Sequence, residues 1–219
     1  VWGGMSAGSP ISDGVLYDPT ADKWAFTNTI NAPTARSGVG AAWSGTELLL
    51  FGGRPGGIGT TNDGYAYNPI TTTWRKFSTS GAPSPRFDTF ASWTGSRLLV
   101  FGGRDSGGAF FSDAELYDPV ADTWSSAQTN PLGKRSAPSS RTGWTSSSTP
   151  KVFVAGGLDQ AQSLKVDCRL YDSVANDWGM MLSSWPSGVQ HESGVGVWTG
   201  TEFILWSGLD GGMLTTKGD

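Results

Sequence analysis

The 219-residue chain has one cysteine, Cys168, and one histidine, His191. A lone cysteine excludes an internal disulfide and a cysteine-rich metal site. Charged residues make up only 16% of the chain and the net charge is −4, so bulk electrostatics do not favour a nucleic-acid-binding protein. No stretch approaches the roughly 20 apolar residues of a membrane-spanning helix. No run of useful length has a helical pattern, which leaves a fold made of strands.

Glycine and tryptophan are abundant instead, with 32 and 11 residues. Together they favour short strands joined by glycine turns, with large rings filling the core. One unit recurs four times: an apolar run ends in a diglycine, a loop follows, and a tyrosine comes seven residues before a tryptophan. The repeating residues are Gly52, Gly53, Gly102, Gly103, Gly156, Gly157 and the pairs Tyr17–Trp24, Tyr67–Trp74, Tyr117–Trp124 and Tyr171–Trp178. A period near 50 residues predicts a repeat architecture.

Each full unit predicts four short strands. An arginine-led strand of small residues is followed by a turn such as 44–47 or 94–97, whose glycine supplies a positive φ. The second strand is a continuous apolar run and therefore predicts burial on both faces. These runs are 48–51, 98–101, 152–155 and 203–206. A third strand ends in Tyr-Asp-Pro or a close variant and a fourth starts at the tryptophan, which is typical of a propeller blade.

With its diglycines, its Tyr–Trp pairs and its small-residue strands after an arginine, the sequence resembles the kelch-repeat β-propellers. The resemblance covers essentially the whole chain. It implies an all-β propeller of four-stranded antiparallel blades, with about four and a half repeats in one array. The approximate blade segments are 1–31, 32–81, 82–131, 132–184 and 185–219. Because the motif residues are structural, the resemblance specifies the fold and says little about function.

The number of blades leaves three alternatives open. The chain opens at Val1 in the middle of a repeat and is expected to stop after the second strand of its last unit. It is therefore expected to be part of a larger propeller, to close on itself as a small ring, or to combine with a second chain to complete a ring.

In the kelch family, the loops before the first strand and after the second strand lie on one face, around the channel mouth. The resemblance thus implies two rows of candidate ligand-binding residues on that loop face. The first row is Arg36, Arg86, Arg141 and His191, and the second row is Arg54, Arg104, Asp159 and Asp210, with Asp105 among them.

Arginines around one opening suit carboxylate-bearing partners, because the planar guanidinium binds a carboxylate through two parallel hydrogen bonds. The alternative for the first row is architectural: an arginine in every repeat pairs with an aspartate or a carbonyl of a blade. Arg54 and Arg104 are the better functional candidates, because the later units have leucine at their position.

Aromatic residues provide a second set of candidates. The recurring tryptophans are expected to pack between blades rather than to stack on sugars; they are Trp43, Trp93, Trp144 and Trp198. Trp185 departs from the repeat, in a predicted loop, and is the more plausible ligand contact.

Enzymatic alternatives fit less well. A copper oxidase resembling the galactose oxidase central domain needs two histidines, and this chain has one. In a strand, His191, Glu192 and Ser193 point to alternating faces, which favours His191 as the repeat's substitute for arginine over a catalytic base. We therefore predict a non-enzymatic binding module for protein, peptide or carbohydrate ligands, without cofactor or metal, nucleic acid or membrane insertion. The alternative is a carbohydrate-active protein, either lectin-like or an isomerase resembling sialic-acid mutarotases. Composition leans towards a secreted or cell-surface bacterial protein.

Overall fold

The computed structural model describes residues 1–136, 151–165, 167–179, 195–198, 203–210 and 213–218. Every regular element in these residues is a β-strand, and all strand pairs are antiparallel. Within them, no helix has the length and apolar character needed to span a membrane. The architecture is thus all-β, as the sequence predicts.

The strands form blade sheets, numbered here in chain order. Blade 1 contains Val15–Asp18 and Lys23–Phe26, and blade 2 contains Gly40–Trp43, Leu48–Phe51, Gly64–Asn68 and Thr73–Lys76. Blade 3 contains Phe90–Trp93, Leu98–Phe101, Ala114–Asp118 and Thr123–Ser126. Blade 4 contains Lys151–Ala155, Cys168–Asp172 and Asp177–Trp178, and blade 5 contains Val195–Trp198, Phe203–Asp210 and Met213–Gly218. Two short ladders complete the set, Met5–Ser6 with Ser9–Pro10 and Arg36–Ser37 with Arg54–Pro55.

The second strand of each complete blade lies at its centre. In blade 3, the four residues of Leu98–Phe101 are almost fully buried, because neighbouring blades cover both faces of the sheet. The diglycine that follows lets the next blade approach closely. A Cβ at Gly52 would lie 2.5 Å from the carbonyl oxygen of Arg86, and the Gly53 N–H donates to that same oxygen at 2.8 Å. Only glycine permits this contact.

Neighbouring blades share apolar clusters and a repeated hydrogen bond. One cluster joins blade 2 to blade 3 and another joins blade 3 to blade 4. In blades 2, 3 and 4, the tryptophan of the outer strand donates its indole N–H to a carbonyl of the preceding blade segment. The pairs are Trp74 to Asn28 at 2.8 Å, Trp124 to Ser78 at 2.9 Å and Trp178 to Gln128 at 3.2 Å. These tryptophans therefore join blades, in agreement with their place in the repeat.

The structure corrects three details of the predicted strands. The first strand of blade 2 is divided: Arg36–Ser37 pairs with Arg54–Pro55, and the blade strand begins at Gly40. The outer strands of blades 2 and 3 begin one residue before their tryptophan. In blade 5 the second strand runs to Asp210 and a third strand follows. Blade 5 therefore contains one strand more than the sequence predicts.

Among the described strands, none of blade 5 is hydrogen-bonded to one of blade 1. The number of blades in the ring therefore stays a prediction, as do the blade boundaries.

Candidate functional site

The first arginine row is buried inside the blades. Arg36 and Arg86 are 3% and 1% exposed. Arg86 donates to both carboxylate oxygens of Asp113 at 2.7 Å and to the carbonyl of Gly102 at 2.9 Å. Arg36 makes the same contacts with Asp63 and the carbonyl of Gly52. Burial opposes ionisation of Asp63, yet the hydrogen bond from Arg36 holds the pKa of that carboxyl below its usual value. This geometry matches the architectural alternative for the row.

In the next unit, the equivalent buried arginine is Arg135, not Arg141. Arg135 is 3% exposed and donates to the carbonyl of Gly156 at 3.1 Å and to both Asp167 oxygens at 2.6 Å. The prediction that Arg141 holds this repeat position was wrong, because 21 residues separate Arg135 from Gly156, whereas 16 separate Arg86 from Gly102. Counting forward from the tryptophans gives 12 residues for Arg36 and Arg86 and 11 for Arg135. That spacing was the available signal.

Several predicted residues lie outside the described part of the chain. They are Arg141, His191, Trp144 and Trp185. The backbone of Asp210 and of Trp198 is described within strands, but their side chains lie outside the description.

The two loop aspartates shape their own loops. Asp105 Oδ1 accepts hydrogen bonds from the N–H groups of Gly107 and Ala109 at 2.9 and 2.8 Å. Asp159 Oδ1 accepts the equivalent pair at 2.9 and 3.0 Å and also pairs with Lys165. The hydrogen bond from Lys165 and these N–H groups lower the pKa of Asp159. Both carboxylates are therefore engaged in turns.

The two arginines of the second row, Arg54 and Arg104, form a cluster with Phe87 and Asp88. The guanidinium carbons of Arg54 and Arg104 each lie 4.8 Å from the centroid of the Phe87 ring. Arg54 belongs to blade 2 and Arg104 to blade 3, so the ring joins two neighbouring loops. We call this group the arginine–phenylalanine cluster. Arg104 is 31% exposed, which leaves the cluster accessible from solvent.

The two arginines of the cluster differ in their partners. Arg104 donates to Asp88 Oδ2 through Nε at 3.1 Å and through Nη2 at 2.8 Å. The Nε of Arg54 is buried and has no hydrogen-bond partner within the described part of the chain. Sequence reasoning missed Phe87, although a large ring stands there where the neighbouring units have Ser37 and Ser136.

These sheets, with their diglycine strands and buried arginine–aspartate pairs, define a β-propeller of the kelch type. Residues 1–208 match the family model of the KLHDC2/KLHL20/DRC7 Kelch-repeats domain. The chain therefore belongs to the kelch-repeat family. No curated protein matches the chain. Kelch-repeat domains generally act as protein-interaction modules rather than as enzymes.

Proposed function

We propose that this chain is a non-enzymatic binding module whose loop face takes an anionic, carboxylate-bearing ligand or peptide. The observation that carries the proposal is the arginine–phenylalanine cluster, in which two guanidiniums of neighbouring blades share one ring. A guanidinium can bind a carboxylate through two hydrogen bonds, and an aromatic face holds it in place without using its N–H donors.

The buried row contributes less to this face. Arg36, Arg86 and Arg135 direct their guanidiniums to carboxylates and carbonyls of their own blades. Ligand contacts are therefore expected from Arg54 and Arg104, while Asp105 and Asp159 hold the shape of the neighbouring loops.

The test is a binding screen of the chain against immobilised peptides that differ in their number of carboxylates. The double variant Arg54→Ala/Arg104→Ala should lose at least tenfold in affinity for acidic peptides without a large drop in melting temperature. Arg97→Ala is the matched control, because Arg97 is 46% exposed and lies in the turn between the first and second strands of blade 3. Unchanged binding in the double variant, or equal loss in the control, would contradict the proposal.

The carbohydrate-active alternative and self-association stay predictions. A glycan array probed with the same three proteins tests the first of them. Glycan binding in the absence of acidic-peptide binding would replace our proposal with that alternative.

A further inference from the structure

We infer that the arginine–phenylalanine cluster accepts one ligand carboxylate, at Arg54, because Asp88 already supplies a carboxylate to Arg104. The inference rests on the proposed function and assigns unequal roles to the two arginines.

The two blades place equivalent residues around the cluster. Arg54 and Arg104 each follow a diglycine, and Gly38 and Asp88 each lie two residues after a buried arginine. Gly38 and Asp88 share a left-handed backbone conformation, with φ of 65° and 50°. Both positions therefore have φ in the left-handed region, and only Asp88 carries a carboxylate.

In blade 3, Asp88 shows how this position engages an arginine. Its Oδ2 lies 3.1 Å from Nε and 2.8 Å from Nη2 of Arg104, so one oxygen accepts from one edge of the guanidinium. The Asp88 side chain is only 25% exposed, and partial burial strengthens a charged hydrogen bond. Asp88 thus acts as an internal ligand of Arg104.

In blade 2, no such carboxylate is available to Arg54 from its own blade. A Cβ at Gly38 would lie 2.8 Å from Asp88 Oδ1 and 3.2 Å from Phe87 Cβ. A side chain there would collide with the cluster, so residue 38 cannot supply the acceptor. A buried donor without an acceptor is unfavourable, and Arg54 Nε is such a donor among the described residues.

Arg54 is half-buried and its Nε is covered. The geometry therefore points to a ligand carboxylate that approaches the Arg54 guanidinium from solvent, at its Nη groups. Asp88 then sets specificity, because it restricts the cluster to one ligand carboxylate. Replacing Asp88 by glycine would give blade 3 the arrangement of blade 2 and open a second carboxylate position. The φ of Asp88 is compatible with glycine.

The experiment follows the Nε–H signals of individual arginines by NMR while acetate or succinate is added. In the unmodified chain, acetate should shift the Arg54 signal saturably and leave the Arg104 signal in place. In Asp88→Gly, acetate should shift both signals, and succinate should bind at least tenfold more tightly than acetate, since linked groups bind two sites together. Should the glycine variant be unstable, Asp88→Asn keeps the side-chain shape and replaces the carboxylate by a neutral amide oxygen, a weaker acceptor that acetate should displace from Arg104.

Three outcomes would overturn the inference. They are equal shifts of Arg54 and Arg104 in the unmodified chain, a response of Arg104 alone, and an Arg104 signal that stays unresponsive in both Asp88 variants. If acidic peptides still bind through the two arginines equally, the proposed function stands, and only the assignment of unequal roles to Arg54 and Arg104 is wrong. If neither arginine responds to any carboxylate, both the proposed function and this inference are wrong.

Discussion

The interface between blades 2 and 3 and the interface between blades 1 and 2 use equivalent tyrosines differently. Between blades 2 and 3, the Tyr117 hydroxyl donates to Asp122 at 2.6 Å and accepts from Arg75 at 3.1 Å. Its ring stacks on Phe77 with centroids 3.9 Å apart. Burial and the hydrogen bond to Asp122 raise the pKa of Tyr117 above its usual value.

Between blades 1 and 2, the equivalent Tyr67 is 2% exposed, and its hydroxyl has no hydrogen-bond partner within the described residues. Its neighbours explain the difference. Thr72 stands in the place of Asp122, Ala25 in that of Arg75 and Thr27 in that of Phe77. The sheets and their registers are nevertheless the same. The strand register of a blade thus tolerates different side-chain contacts around this tyrosine, and the following variants test that separation.

The largest effect is expected from removing a buried arginine inside one blade. Arg86→Leu should lower the free energy of unfolding by about 4 kcal/mol, because it removes the charged hydrogen bonds that the buried guanidinium makes to the Gly102 carbonyl and to the carboxylate of Asp113, which is 41% exposed. Urea denaturation measures this, with Arg54→Leu as a control that should stay within about 0.5 kcal/mol. Equal losses in the two variants would show that the buried arginine and the loop arginine contribute equally to stability.

A smaller effect is expected when the interface between blades 2 and 3 loses a contact that the interface between blades 1 and 2 lacks. Phe77→Thr reproduces Thr27 and should cost about 3 kcal/mol, because it leaves a cavity beside Tyr117. Phe26→Thr is the control, since Phe26 is 80% exposed. Thermal and urea unfolding measure both variants, and a neutral Phe77→Thr would mean that the interface repacks.

The smallest effect is expected from adding a hydrogen-bond acceptor for the Tyr67 hydroxyl between blades 1 and 2. Thr72→Asn should raise stability by about 1 kcal/mol, because asparagine tolerates the left-handed φ of 56° at Thr72 and can accept from the Tyr67 hydroxyl. Asn176 accepts from Tyr171 in this way at 2.7 Å. Thr71→Asn in the same turn is the control. A loss of stability in Thr72→Asn would contradict the assigned cause.

The comparison also explains which features the sequence could predict. The apolar runs and the Tyr–Trp spacing follow directly from strand burial, so Leu48–Phe51 and Leu98–Phe101 are found with their predicted bounds. Arg135 was not predicted as the buried arginine of its unit, because extra residues separate it from its diglycine. The pairing of Arg104 with Asp88 could not be predicted, since it depends on a side-chain approach across two loops that no period encodes.

The indole hydrogen bonds give the chain a direction of assembly. Each donor tryptophan lies 46 to 50 residues after the carbonyl that it meets, so the acceptor is always synthesised first. At a synthesis rate of about 5–20 residues per second, one blade follows the last within roughly 3 to 10 seconds. Each new blade can therefore dock on a surface that has already left the ribosome, and folding is expected to proceed from the amino end towards the carboxyl end.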